Sequence, residues 1–339
     1  MGLLAPFTRE EQFMKRTIAA VAAAYLACTC AASAKDMSLA YWMGPKHPMN
    51  AGLFEPFAEK LAEVSGGEMT VTQYPGGALN TAPPKQYSIM LSGVADVVFA
   101  LPGYTSDLFP KTNVISFPGV CEDAVECTEA LLRAKSELED EYDAKLLAIW
   151  ANDKPVLITR DTPVRTLEDL KGLKIRVATK ESVSSVEAMG ASAVAQPASV
   201  LNQNLANGVI DGIMIGASAI ASFKLHEPGK YVTTWFPSSA SALILAMNKG
   251  YYDSLSDQEK AWVDAAADES LSRAAGQAYQ RAGENGLQVA ADNGMELIEI
   301  SDEEKARFND AIADAMAASM QEKAGDKTVG EIMAIMKGE

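Results

Sequence analysis

Histidine is nearly missing from this sequence. His47 and His226 are the only two in 339 residues. That scarcity excludes a histidine-rich metal centre and leaves little for histidine-based catalysis. Cysteine is also scarce, at four, and positive charge is short. There are 29 Lys and Arg against 45 Asp and Glu, a formal charge of −16. Such a surface repels nucleic-acid phosphates and anionic headgroups, so neither is expected as a partner. An anionic ligand would need a local cation acting against the overall field. The motifs HExxH, CxxC, GxSxG and GxxxxGK[ST] are absent as well. Gly66-Gly67 and Gly76-Gly77 lack the rest of a phosphate loop and read as turns. Glu303-Glu304 reads as a solvated helix face. No metal and no cofactor are expected. What is present, 48% hydrophobic and 22% charged residues, is the profile of a folded globular chain long enough for two domains.

The one long apolar run lies near the start. Lys15-Arg16, an apolar stretch from Ile18 to Ala27 and Ala32-Ser33-Ala34 together read as a secretory signal peptide with its cleavage site. The run is too short to span a bilayer. Met14 reads as the start, with residues 1–13 an upstream extension. Cys28 follows Leu26-Ala27, but Tyr25 stands where a lipobox wants Leu. Removal of residues 1–34 takes away three positive and two negative charges and leaves −17. No later stretch is apolar enough to cross a membrane, so the processed chain is expected in the periplasm and not embedded in the membrane. Cys121 and Cys127 remain, an even pair that oxidation could join, although a helical Glu122–Glu126 could hold the sulfurs apart.

Beyond residue 34 strands and helices alternate. Ser38–Met43, Met69–Tyr74, Val94–Leu101 and Lys145–Ala151 read as strands, with helical spacing over Gly52–Val64, Pro84–Ser92 and Val125–Tyr142. A second series follows: strands Pro155–Arg160, Lys174–Val177, Ile210–Ile215, Tyr231–Phe236 and Leu243–Met247. Short helices, one capped by Thr166, stand between them. Asp257–Ala291 reads as one helix of over 30 residues, long enough to bridge two bodies. The fold class is α/β with mostly parallel sheets in two lobes. Its ligand cleft is expected between the lobes, at the carboxyl ends of strands.

Several segments carry a specific resemblance. Leu167-Glu168-Asp169-Leu170-Lys171-Gly172-Leu173-Lys174-Ile175-Arg176-Val177, Met189-Gly190-Ala191, Asn207-Gly208-Val209-Ile210-Asp211-Gly212 and Lys224–Tyr231 stand in one order. Phe57–Lys60 with Ser65-Gly66-Gly67, Tyr74–Leu79 and Gly93–Asp96 precede them. In these the chain resembles the DctP-type solute-binding subunits of tripartite ATP-independent periplasmic (TRAP) transporters, over nearly its whole length after residue 34. The resemblance implies a periplasmic two-lobed binding protein with a hinge and a helix spanning both lobes. It would close on a small organic acid and deliver it to the small and large membrane subunits of a TRAP permease. A receptor that reports to a membrane sensor is the alternative, and a periplasmic organic-acid enzyme ranks behind it; the chain is not expected to be an enzyme. Lobe I is expected over 35–153 with about 241–281, and lobe II over 154–240 with about 282–339.

By the resemblance Arg176 is the ligand-carboxylate anchor. Its planar guanidinium offers paired N–H donors to a carboxylate. The residues alone leave open a strand-end arginine paired to a surface acid. Leu101 and Tyr104 stand where sialic-acid-binding members carry Glu and Arg, and Ile215 where they carry a ligand-contacting Asn. A polyhydroxylated sugar acid is therefore disfavoured. A monocarboxylate with an apolar or aromatic body, or a small keto or hydroxy acid, is expected. Trp150 and Trp235, each at a strand end, are further candidates, as core residues or as a surface for a ring. His47 lies in the loop after the first strand, where family members often touch ligand.

Overall fold

The structure, a computed structural model, describes residues 34–339. Positions 14–33 of the signal segment, Cys28 included, lie outside the described residues.

Besides a short two-stranded ribbon of Lys323–Ala324 with Lys327–Thr328, the strands are β1 (Lys35–Ala40), β2 (Met69–Tyr74), β3 (Val97–Ala100), β4 (Ala144–Ala151), β5 (Pro155–Thr159), β6 (Lys174–Val177), β7 (Ser192–Ala195), β8 (Gly212–Gly216), β9 (Tyr231–Thr233), β10 (Ala242–Asn248) and β11 (Glu296–Ile298). Strands β1–β11 form two sheets, one per lobe. The first has the order β2-β1-β3-β10-β4 and the second β11-β9-β5-β8-β6-β7. The sheets are mixed rather than mostly parallel. β10 runs antiparallel to both β3 and β4, with Leu243 opposite Trp150 and Ile244 opposite Ala100. In the second sheet β5 runs antiparallel to β8 and β9. The cause is the path of the chain. It leaves the first lobe at the carboxyl end of β4 and returns through β10, so the returning strand must oppose the departing one. Pro155 at the start of β5 faces Gly216 at the end of β8. The carboxyl ends of β3, β4, β6 and β8 thus meet at the lobe boundary.

Among the helices of the described residues, those used below are α1 (Glu55–Val64), α2 (Ala124–Leu138), α3 (Ser218–Ser222), α4 (Asp257–Ala266), α5 (Glu269–Asp292), α6 (Asp302–Ser319) and α7 (Val329–Lys337). Both faces of the first sheet are covered, which explains the near-continuous apolar run of β4. Ile149 and Ala151 face Leu131, Ala134 and Leu138 of α2. Ala148 and Trp150 face Phe54, Phe57 and Leu61.

The bridging helix is shorter than its sequence suggests. The 35-residue periodic stretch is two helices, because Asp268 caps α5 by accepting the Ser270 N–H at 2.8 Å. α5 has 24 residues, about 36 Å. Leu271, Ala275, Ala278 and Tyr279 are buried in the first lobe. Leu287, Val289 and Ala290 pack in the second. Its glycines allow close passage: a Cβ on Gly286 would overlap the Ala217 carbonyl oxygen, and one on Gly283 would lie 2.8 Å from Asp153 Oδ2.

The tail divides. Phe308 and Ile312 of α6 lie in the second lobe. Val329, Ile332 and Met336 of α7 are buried in the first, against α2. Residues 282–339 therefore do not all belong with lobe II, because the apolar face of α7 finds its cover across the boundary. Cys121 and Cys127 form a disulfide, with Cα atoms 5.1 Å apart. The helix begins only at Ala124, after its cap Asp123. Cys121 thus lies in the preceding turn, free to meet Cys127 in the first helical turn. So short a loop contributes about 2 kcal/mol.

Candidate functional site

Alternation along β6 decides where Arg176 goes. Ile175 and Val177 enter the core of the second lobe. Arg176 therefore faces the other side, toward the cavity between the lobes. Empty space in this cleft is about 710 Å³, part of it continuous with solvent.

Arg176 is 1% exposed. Its Nε and Nη2 donate to the Gln196 carbonyl oxygen at 2.8 and 2.6 Å, and Nη1 reaches the Met214 carbonyl oxygen at 3.4 Å. The Tyr104 hydroxyl is its remaining polar neighbour. Among the described residues no carboxylate pairs with it. Burial lowers its pKa, but a guanidinium stays charged. The result is a buried cation held by backbone carbonyls and lacking a counter-ion.

Tyr104 comes from the first lobe, in the short turn Pro102–Leu108, and its hydroxyl accepts the Ala198 N–H of the second at 2.9 Å. Beside it Ser106 Oγ lies 3.0 Å from Glu181 Oε2, and Lys180 pairs with Asp107. These contacts join the two lobes, Tyr104 and Ala198 doing so at the cavity wall. On another wall Trp42 of the first lobe stacks on Phe223 of the second, centroids 5.6 Å apart and planes 9° from parallel.

His47, Leu101, Tyr104, Arg176 and Ile215 all line the cavity. Trp150 and Trp235 do not. Trp150 is fully buried behind the wall, its ring 5.9 Å from that of Phe99, which does line the cavity. Trp235 is half-buried and packs edge-on against Phe308 at 6.1 Å, at the edge of the second lobe's core. Both sit near strand ends, but their side chains project toward cores. Sequence reasoning passed over Trp42, Phe223, Tyr279 and a set of serines that includes Ser218, Ser238 and Ser241. The run Ser238-Ser239-Ala240-Ser241, polar between two apolar strands, was the available signal. Tyr279 gave none, since it falls at core spacing in a helix.

The turn between β4 and β5 carries a second buried charge. Asp153 Oδ2 accepts the Ser218 N–H at 2.8 Å and Oδ1 the Ser218 hydroxyl at 2.6 Å. Gly216 and Gly283 leave it room. Asp153 thereby fixes the start of α3, whose Ser218, Ala219 and Ser222 form cavity wall. Burial raises its pKa to about 6 against the favourable Ser218 bonds. Burial acts oppositely on His47, lowering it to about 4. Its Nδ1 accepts the Met49 N–H at 3.3 Å, so the neutral ring carries its proton on Nε2.

The two shifts have opposite consequences for stability. Between about pH 4 and 6 folded Asp153 holds a proton that the unfolded chain has released, so acidification stabilises. Between about pH 4 and 6.5 unfolded His47 holds a proton that the folded one lacks, so acidification destabilises. Relative to wild type, Asp153→Asn should lose stability on acidification through this window, and His47→Gln should gain it. Each slope is at most about 1.4 kcal/mol per pH unit, read from urea melts at pH 4.5 to 7.

The family model for bacterial extracellular solute-binding proteins, family 7, matches residues 39–323. Curated relatives include the transporter protein TsaT of Comamonas testosteroni, 23% identical over 77% of this chain and 78% of that one. Another is the 2,3-diketo-L-gulonate-binding periplasmic protein YiaO of Escherichia coli, 24% identical over 63% and 66%. Among solved structures, a marine-metagenome TRAP solute-binding protein specific for aromatic acids was crystallised with 3-hydroxybenzoate. It superimposes with a TM-score of 0.83 at 26% identity, over 90% of this chain and 98% of that one. A Rhodoferax ferrireducens TRAP solute-binding protein with copurified benzoate gives 0.83 at 24%, over 89% and 96%. Among the described residues no helix is long and apolar enough to cross a membrane. Two lobes, a cleft at their strand ends, a bridging helix and a family match over most of the sequence converge: the chain belongs to family 7 of the bacterial extracellular solute-binding proteins, the solute-binding subunits of TRAP transporters.

Proposed function

We propose that this protein captures an organic monocarboxylate with a ring or other apolar body, and that Arg176 receives its carboxylate. The observation that carries this is the buried Arg176 guanidinium without a counter-ion. A cation in that position is costly until an anion joins it, and a carboxylate matches its geometry. The other lining groups limit the ligand. Trp42, Phe99, Leu101, Ile215, Phe223 and Leu243 are apolar or aromatic, Asn152 and the serines are polar but uncharged, and among the described residues no Asp, Glu or Lys lines the cavity. A second carboxylate would find no cation, since His47 is neutral near pH 7. The aromatic acid bound by the marine-metagenome relative supports this ligand class.

The protein acts in the periplasm, exported by the signal segment, and passes its ligand to the membrane subunits of a TRAP permease. Tyr104, Ser106 and Asp107 of one lobe against Ala198, Glu181 and Lys180 of the other are the contacts that closure makes. The test is a thermal-shift panel of monocarboxylates, dicarboxylates and sugar acids. A ligand at 100 times its Kd adds roughly 2.7 kcal/mol to stability. Shifts are expected from ring-bearing monocarboxylates. A panel in which only dicarboxylates or sugar acids shift the melt overturns the ligand class.

A further inference from the structure

Arg176 accounts for one end of a ligand, and among the other polar groups of the same cavity, which include Asn152 and several serines, two stand together. His47, from the loop after β1, and Tyr279, from the middle of α5, lie edge to face with ring centroids 6.2 Å apart, and both line the cavity. His47 Nδ1 is occupied by the Met49 N–H, so the Nε2–H is its free donor. Among the described residues neither that Nε2 nor the Tyr279 hydroxyl has a hydrogen-bond partner. Tyr279 is 6% exposed as a residue and lines the cavity. Burial and the nearby Asp153 charge keep it a neutral O–H. A hydroxyl with no protein partner is available to a ligand, and its neighbour is a one-way donor. Phe223, 6.3 Å from His47 by ring centroid, and the Trp42 stacked upon it form an apolar wall beside the pair.

We propose that His47 and Tyr279 form a second reading head of the site, which recognises one uncharged hydroxyl on the body of the ligand, so that the preferred substrates are hydroxylated aromatic monocarboxylates. This rests on the carboxylate reading of Arg176. A hydroxyl suits the pair better than other substituents. It accepts from His47 Nε2–H through its lone pairs and donates its proton to Tyr279 Oη. An ether or halogen could only accept. A second carboxylate would bring a charge that neither group neutralises. His47 comes from the first lobe, and the Phe223 beside it from the second. A ligand held by His47 and Arg176 together therefore touches both lobes, which favours the closed state.

The test is calorimetric titration of benzoate, phenylacetate and their ring-monohydroxy isomers into the wild type, Tyr279→Phe, His47→Phe and His47→Gln. The quantity read is the affinity ratio of each hydroxy acid to its unsubstituted parent, which cancels general damage to the pocket. In the wild type at least one isomer should bind about tenfold or more tighter than its parent. The ratio should fall toward one in Tyr279→Phe and His47→Phe, and His47→Gln, which keeps an N–H donor, should retain part of it. Parents that bind while no isomer gains, or a ratio that survives in both phenylalanine variants, overturns the proposal and leaves the Arg176 reading standing. Failure of every parent and isomer to bind the wild type overturns both.

Discussion

Replacing Arg176 by alanine severely weakens capture of carboxylates while the protein still folds. Binding loses the charge-assisted bonds and leaves the ligand carboxylate desolvated without a cation. Truncating one partner of a buried charged pair costs about 2–5 kcal/mol, roughly a 30- to several-thousand-fold rise in Kd. The fold is affected in two opposing ways. The Gln196 and Met214 carbonyls lose donors, but a buried uncompensated charge is also removed. The melting temperature of the ligand-free protein should therefore move far less than ligand affinity. Arg176→Lys separates charge from shape. An ammonium keeps the charge but cannot hold the Gln196 carbonyl with two N–H groups while facing a carboxylate with others, so affinity should fall about tenfold or more. Calorimetry on folded variants checks both. Wild-type affinity in Arg176→Ala would remove Arg176 from the site.

The second large effect concerns a glycine in a helix. Gly to Ala inside a helix ordinarily stabilises by about 1 kcal/mol. Gly286 in α5 should do the reverse. A Cβ there would overlap the Ala217 carbonyl oxygen and sit 3.0 Å from the Ser218 backbone nitrogen. Both are backbone atoms at the start of α3, with no rotamer to relieve the overlap, so the two helices must separate. Gly286→Ala should cost about 3 kcal/mol, roughly 6 °C in Tm. Ser218 is also the partner of Asp153 and part of the cavity wall. The variant should therefore weaken ligand binding as well, although Gly286 does not line the cavity. A variant as stable as the wild type would show that α3 and α5 can slide apart freely.

Much of this architecture could be read from residue pattern, and the exceptions share a cause. β2 and β6 coincide with their sequence limits, Met69–Tyr74 and Lys174–Val177. Pro75-Gly76-Gly77 ends the first, and Leu170–Leu173 leads into the second. Strand direction was not legible. The opposition of β10 to β3 and β4 depends on which lobe the chain arrives from, a non-local fact. The break before α5 was present as Asp268-Glu269-Ser270, a cap outweighed by the helix formers around it. For the site, Arg176, Tyr104, Leu101, Ile215 and His47 were placed at the cavity by resemblance and loop position. Trp150 and Trp235 show its limit, since the end of a strand says little about which side a ring faces. Tyr279 could not be told from its core neighbours Ala275 and Ala278, because only packing reveals that its hydroxyl is unpaired.

Whether the buried Arg176 cation receives a carboxylate is tested most directly by comparing the tightest-binding acid of the panel with its primary amide. The two have nearly the same shape and differ by one charge. The amide should bind the wild type at least about a hundredfold more weakly, a loss of about 2.7 kcal/mol or more, and the gap should collapse in Arg176→Ala. Equal binding of acid and amide by the wild type would contradict the account, because the ligand would then be held without its charge.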